Sequence, residues 1–395
     1  MDAAPRIRIA KLALTDFRNY KSATLSLEAG PVVLTGQNGA GKTNCLEAIS
    51  LLTAGRGLRA SPFFELIRNG ATGWAVSTRL FLGECEVQIG TGLRLPAEGN
   101  LSARAGRTVK IDGAPVRGSG ALAPVRMIWL TPAMDPLFMG PASDRRAFMD
   151  RLALSLDPAY AAPAAAFDRA MRQRNRALES FSPGKLLDAV EAQMAEAAAR
   201  IATHRHSAIH RLKSEIAAER ERSGETVFPW AELTLSGCLE AKAGLESEDA
   251  IAQNYRETLA KSRERDREAG RTLTGPHRSD LQVGHGPKAM AARMCSTGEQ
   301  KALLVGLILA QARLIKKACG GMAPLILLDE IAAHLDEDRR LALFKSIAGL
   351  EAQVWMTGTD PGVFAPLRKT APAQFFLVLN GTFAPLNDAE SAPKH

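Results

Sequence analysis

The chain has 395 residues, of which 46% are apolar and 23% charged, a globular composition with room for two or three domains. No apolar run approaches the roughly 20 residues that span a bilayer, and the first 14 residues lack the core of a secretory signal; no membrane contact and a cytoplasmic location are expected. Five scattered cysteines without a Cys-x-x-Cys pair exclude a disulfide scaffold and a structural zinc site, and the net charge of +8 divides as +6 over residues 1–150, −1 over 151–270 and +3 over 271–395, so an anionic partner would meet the chain ends.

The pattern opens with strands at residues 7–14 and 24–27, alternating apolar and polar. Pro31-Val32-Val33-Leu34 is a short buried strand that runs into a glycine-rich turn. Residues 44–52 read as a helix with Leu46, Ile49 and Leu52 on one face. Residues 71–130 look rich in strands. From about 147 to 261 the pattern is helical, and Leu186–Arg222 lacks both Gly and Pro; as one helix it would run about 55 Å at 1.5 Å per residue. Its apolar spacing has one irregular step near His204 and His206, which suits a helical arm or bundle face better than a heptad coiled coil. Strand pattern resumes after Gly275. Then come a helix at 298–319, a buried strand at 325–328, a helix at 338–348 and strands at 353–356 and 375–379. The last eight residues read as a loose tail.

Gly36-Gln37-Asn38-Gly39-Ala40-Gly41-Lys42-Thr43 matches G-x-x-x-x-G-K-[ST] between a strand and a helix. Such a loop turns backbone N–H groups toward phosphate oxygens, and the helix that follows points its positive end at the same anion. Lys42 would reach the β- and γ-phosphates of ATP, and the Thr43 hydroxyl would hold Mg²⁺. Leu325-Ile326-Leu327-Leu328-Asp329-Glu330 is an apolar strand ending in two acids. Asp329 suits a Mg²⁺ partner and Glu330 the base that polarises the attacking water. Lys42 and Asp329 must meet at one Mg–ATP, so the ATPase unit is assembled from both chain ends.

Ser296-Thr297-Gly298-Glu299-Gln300 opens a helix ahead of Asp329. It resembles the signature of ABC-type ATPases, and equally fits a capping box, Ser followed three residues on by Glu. Read as a signature, Ser296, Gly298, Glu299 and Gln300 would complete the nucleotide site of a second subunit. Ala332-Ala333-His334-Leu335-Asp336 follows the acids as a D-loop does, which would place Asp336 at a dimer seam; a helix N-cap is compatible.

Several blocks together resemble the RecF family of DNA replication and repair ATPases. They are Asp16-Phe17-Arg18-Asn19-Tyr20, the phosphate loop, Gly55-Arg56-Gly57-Leu58-Arg59, Asp144-Arg145-Arg146-Ala147-Phe148-Met149-Asp150, Leu273-Thr274-Gly275-Pro276-His277-Arg278-Ser279-Asp280-Leu281, and Ser296–Gln300. The resemblance implies an α/β fold: an ABC/SMC-type ATPase head with an inserted, mainly helical arm. Expected boundaries are 1–146 for the N-terminal lobe, 147–270 for the arm and 271–395 for the C-terminal lobe. It further implies an ATP-dependent homodimer that binds duplex DNA near single-strand gaps, works with RecR and RecO to load RecA, and resets by slow hydrolysis. Arg18, Arg56 and Arg59 are the candidate DNA contacts. The chain departs from the family at Pro132-Ala133-Met134-Asp135, where Asp135 receives no role, and no Q-loop glutamine is placed. Thr357-Gly358-Thr359-Asp360 stands where ABC transporters carry a switch histidine. The competing readings are a phosphate-loop kinase, which leaves Ser296–Gln300 unexplained, and a transporter subunit, which the helical insertion opposes.

Overall fold

A computed structural model describes residues 6–96, 106–116, 119–181, 183–223, 227–332 and 335–386. In chain order the strands are β1 (Ile7–Phe17), β2 (Tyr20–Ser26), β3 (Val32–Thr35), β4 (Gly73–Leu82), β5 (Cys85–Arg94), β6 (Thr108–Ile111), β7 (Ala114–Val116), β8 (Met127–Leu130), β9 (Ala231–Ser236), β10 (Asp280–His285), β11 (Met290–Ala291), β12 (Leu325–Leu328), β13 (Val354–Gly358), β14 (Gln374–Leu379) and β15 (Thr382–Pro385). The helices are α1 (Lys42–Ser50), α2 (Ala142–Leu156), α3 (Ala161–Glu179), α4 (Gly184–Ser223), α5 (Glu248–Lys261), α6 (Arg263–Glu268), α7 (Thr297–Ala318), α8 (Glu337–Leu350) and α9 (Leu367–Thr370). The chain divides into two compact units, residues 1–134 with 311–395, and residues 135–310.

The first unit holds two six-stranded sheets. One has the order β2-β1-β4-β5-β6-β7 and is antiparallel throughout. The other has the order β15-β14-β3-β13-β12-β8, parallel except for the β14–β15 hairpin. Strands β3, β8 and β12 are buried at every position, as expected of parallel strands covered on both faces. The antiparallel sheet alternates instead: Leu12, Leu14, Trp74, Val76 and Ile89 turn inward, while Lys11, Thr15, Ala75 and Gly90 do not. Its inner face joins Cys45, Leu46 and Ile49 of α1 and Leu34 of β3 in one apolar cluster. Each such side chain removed from water contributes roughly 1.5–3 kcal/mol, so this cluster fixes where α1 lies.

Pairing of β1 with β4 slips between Ile9 and Lys11. The wholly buried Gln353 stands in for a strand there. Its Oε1 accepts from the Ile9 N–H at 2.8 Å and its Nε2 donates to the Ile9 carbonyl at 3.0 Å. A buried amide leaves no backbone group of Ile9 orphaned and ties the two sheets together.

The second unit packs α2 to α6 with the three-stranded sheet β11-β10-β9. The stretch without Gly or Pro is one helix, α4, of 40 residues, and it runs unbroken through the irregular step near His204. Ala195, Ala198, Ala199 and Ala202 are buried beside Leu187, Val190, Met194 and Ile201, and at the irregular step itself the buried residue is Arg205, between Ala202 and Ala208. Strand β9 interrupts the stretch expected to be helical and pairs with β10 along its length. Arg174 is wholly buried and bonds Glu191 at 2.9 Å, Asp266 at 2.7 Å, the Thr272 hydroxyl at 2.8 Å and the Leu259 carbonyl at 2.9 Å.

The divisions at 134/135 and 310/311 differ from the boundaries expected at 146/147 and 270/271. Residues 271–310 group with the helices, and long-range pairs account for it. Arg145 grips Asp280 with a two-pronged ion pair at 2.7 and 2.9 Å, Arg146 donates to the Ser279 carbonyl at 2.8 Å, and β10 takes β9 as partner. No helix among the described residues is long and apolar enough to cross a membrane.

Candidate functional site: a phosphate loop facing two acids

The loop Gly36–Thr43 leaves β3 and enters α1. Gly36 and Gly41 have φ of 142° and 118°, the region that favours glycine. A Cβ at Gly36 would sit 2.5 Å from the Val378 carbonyl oxygen, and one at Gly41 would sit 2.6 Å from the Asn19 side chain. No side chain caps the start of α1, so its first-turn amides are left for an anion. Gln37, Asn38 and Gly39 are exposed, Ala40 is half-buried and Lys42 is buried. The Lys42 ammonium donates to the carbonyls of Gly36 and Gln37 at 2.7 and 3.0 Å, folded back on its own loop. Burial lowers its pKa, and the charges of Glu330 and Asp329 oppose that shift.

Beneath the loop runs a brace that composition and spacing did not reveal. The Asn19 amide donates to the Ala40 carbonyl and accepts from Asn44, both at 2.9 Å. The Tyr20 hydroxyl donates to the Gly41 carbonyl at 2.9 Å, and its ring stacks on Phe383. The Phe-Arg-Asn-Tyr block carried the signal: its Asn19 and Tyr20 bond the loop backbone.

Strand β13 lies between β3 and β12, and this order brings the two motifs together. The Thr43 hydroxyl donates to Asp329 Oδ1 at 2.9 Å. The buried Thr357 hydroxyl, from β13, donates to the same oxygen at 2.7 Å and accepts the Glu330 N–H at 2.9 Å. Burial raises the Asp329 pKa, while bonds from Thr357 and Thr43 pull it down. Glu330 adopts a left-handed φ of 55°. Among the described residues no three His, Cys, Asp or Glu side chains cluster. One hydroxyl and one carboxylate suit Mg²⁺, which keeps waters and shares phosphate oxygens, better than a cation that needs a full protein cage. The uncapped helix, the glycine turns and this sparse donor set fit Mg–ATP. Thr357 was missed as a site residue; Thr359 is exposed.

The three candidate DNA arginines do not share one environment. Arg18 grips the buried Glu47 of α1 with two bonds at 2.9 and 3.0 Å, and also donates to Ser61 and the Glu65 carbonyl. Arg59 bonds Glu47 at 3.1 Å and Asn44 at 2.9 Å, and its charge works against the burial that raises the Asp329 pKa. Arg56 is exposed, with no hydrogen-bond or ion-pair partner among the described residues. Arg107 fixes the loop that carries it, donating to the carbonyls of Leu51 and Gly55 and to the Thr91 hydroxyl.

Ser296 caps α7. Its hydroxyl accepts the Glu299 N–H at 3.4 Å, and Glu299 returns a bond from the Ser296 N–H at 3.0 Å. Lys288 beside Glu299 holds that carboxyl down at about 2. Ser296, Thr297 and Gly298 are exposed, whereas Gln300 turns inward and donates to the Cys295 carbonyl at 2.8 Å. Asp336 caps α8, accepting from the Arg339 N–H at 2.8 Å. Ala333 and His334 lie outside the described residues. Asp135 pairs with Lys301 at 3.1 Å.

A parallel sheet with a phosphate loop on β3, paired acids on β12 and a strand between them defines a phosphate-loop ATPase head of the ABC/SMC type. The family model described as the RecF/RecN/SMC N-terminal domain matches residues 8–372. The DNA replication and repair protein RecF of Mesorhizobium japonicum is 49% identical over 385 residues, covering 96% of this chain and 98% of that protein. Its counterpart in Brucella suis is 48% identical over 383 residues, covering 95% and 96%. The chain belongs to the RecF family within the RecF/RecN/SMC group. The fold agrees with a solved structure of the recombination mediator protein RecF with ATP, with a TM-score of 0.82, 23% identity and coverage of 98% and 99%. It is also similar to a Pyrococcus furiosus Smc head, with a TM-score of 0.50, 17% identity and 96% coverage of both chains.

Proposed function

We propose that the protein is an ATP-hydrolysing recombination mediator that binds DNA. Its phosphate loop would hold ATP, with Gly36 to Thr43 cradling the phosphates and Lys42 leaving its loop carbonyls for phosphate oxygens. Thr43 and Asp329 would hold Mg²⁺, which supplies charge neutralisation at the phosphates. Glu330 would take the proton of the attacking water. The observation that carries this reading is the 2.9 Å bond from the Thr43 hydroxyl to Asp329, joining the two chain ends at one point in a member of the RecF family.

In the same reading, ATP closes two copies head to tail. Each copy presents Ser296 and Gly298, with the Glu299 and Gln300 that order them, to the nucleotide of the other, and Asp336 lies at the seam. The closed dimer binds duplex DNA beside single-strand gaps in the cytoplasm, with RecR and RecO as partners and RecA loading as outcome; slow hydrolysis reopens it. Support comes from relatives named for DNA replication and repair and from the exposed positions of Ser296, Gly298 and Arg56. The test is a pair of variants. Lys42→Ala should lose ATP affinity, because it removes a charge-assisted phosphate contact. Glu330→Gln should keep that affinity and stop turnover. Normal turnover in Glu330→Gln would refute the assignment.

A further inference from the structure

We propose that Thr357 is a positioning residue for ATP hydrolysis, its hydroxyl holding the Asp329 carboxylate and the Glu330 backbone in one arrangement. The inference rests on the ATPase reading above. Thr357 is wholly buried on β13, between the strand that launches the phosphate loop and the strand that ends in the acids. A threonine hydroxyl has one proton and two lone pairs. Here the proton goes to Asp329 Oδ1 at 2.7 Å, and a lone pair takes the Glu330 N–H at 2.9 Å. One oxygen therefore serves both acids.

Glu330 needs such a hold. Its φ of 55° is uncommon for a residue with a side chain, and a backbone in that region persists only where its surroundings impose it. The Thr357 oxygen is the acceptor for the Glu330 amide in the turn that follows β12. A buried threonine in a strand could bond merely to satisfy itself. Valine, however, fills the same space and suits a strand equally. What threonine adds is the oxygen, and that oxygen faces the two acids.

The test uses the full-length protein with Thr357→Val, Thr357→Ala and Thr357→Ser, and Glu330→Gln as reference. In nucleotide-free protein the Glu330 amide should exchange with solvent slowly in wild type and Thr357→Ser, and roughly tenfold or more faster in Thr357→Val and Thr357→Ala. Turnover should fall about 10- to 100-fold in Val and Ala, the range expected when a catalytic group is misplaced by a fraction of an ångström to an ångström. ATP affinity should change by less than about threefold, and Ser should restore turnover. Thermal unfolding checks each variant; should Val fail to fold, Ala decides the matter. Wild-type turnover in Val and Ala overturns the inference, as does Ser being as damaged as Val or a loss lying wholly in ATP affinity. A silent Glu330→Gln beside a fully active Thr357→Val overturns this inference alone. A fully active Glu330→Gln overturns the ATPase reading and this inference with it.

Discussion

Removing both arginines that face Glu47 should destabilise the first unit strongly, and neutralising Glu47 should then restore much of the loss. Glu47 is 2% exposed, and its partners Arg18 and Arg59 are 22% and 41% exposed. Arg18→Ala alone leaves Glu47 with Arg59 at 3.1 Å and the Ser61 hydroxyl at 3.5 Å. Because Arg59 is partly solvated, the single change should cost about 1–2 kcal/mol. Arg18→Ala with Arg59→Ala strands a buried carboxylate, which costs roughly 3–5 kcal/mol. Adding Glu47→Gln removes the stranded charge and should return about half of that, since an amide needs a bond but no cation. Urea unfolding followed by tryptophan fluorescence measures this. Trp74, Trp129 and Trp355 lie in the first unit and only Trp230 in the second, so the signal reports mainly the unit under test. A double variant costing less than about 1 kcal/mol, or no recovery with Glu47→Gln, would refute the reasoning and return both arginines to a surface role.

The remaining predictions concern the partner, the DNA and the second unit. Ser296→Arg should leave ATP binding intact but abolish ATP-dependent dimerisation, seen by light scattering, and hydrolysis with it; unchanged dimerisation would reduce Ser296 to the helix cap it forms in one chain. Arg56→Ala should weaken duplex binding and flatten its salt dependence by about one unit of slope, while Arg18→Ala leaves the slope unchanged, because Arg18 is already engaged by Glu47. Arg174→Met should cost the second unit about 3–5 kcal/mol in a denaturation midpoint, because Asp266 keeps only the Ser262 hydroxyl and the Leu273 N–H as donors; a cost under about 1 kcal/mol would refute the buried-network account.

The phosphate loop and the apolar strand ending in acids were legible because each is a run of consecutive residues whose chemistry is local. Their meeting followed from function, and the bond between Thr43 and Asp329 agrees with it. Thr357 was not legible: its role depends on β13 lying beside β12, a pairing that nothing near residue 357 encodes. The blocks around Arg145 and Asp280 were recognisable as motifs, yet the ion pair joining them moved the unit boundaries away from the expected positions. Strand β9 has period-two spacing over only six residues, too short to stand out in a helical stretch. The step in α4 looked irregular because apolar spacing counts large aliphatic side chains, and there the buried positions are Ala202, Arg205 and Ala208.

The placing of β3 also dictates an order of events during synthesis. This strand leaves the ribosome early, but the strands that pair with both its edges are residues 354–358 and 374–379. At a translation rate of about 5–20 residues per second, roughly 15–70 s separate β3 from its final neighbour. Until β13 is made, a strand buried at every position has two unsatisfied edges, and until β14 follows it has one, the condition under which nascent chains pair with the wrong partner. Residues 135–310 make their contacts within one continuous stretch and can mature meanwhile. Competence to bind nucleotide therefore arrives last, and a chain that stops short of β14 leaves one edge of the strand preceding the phosphate loop bare.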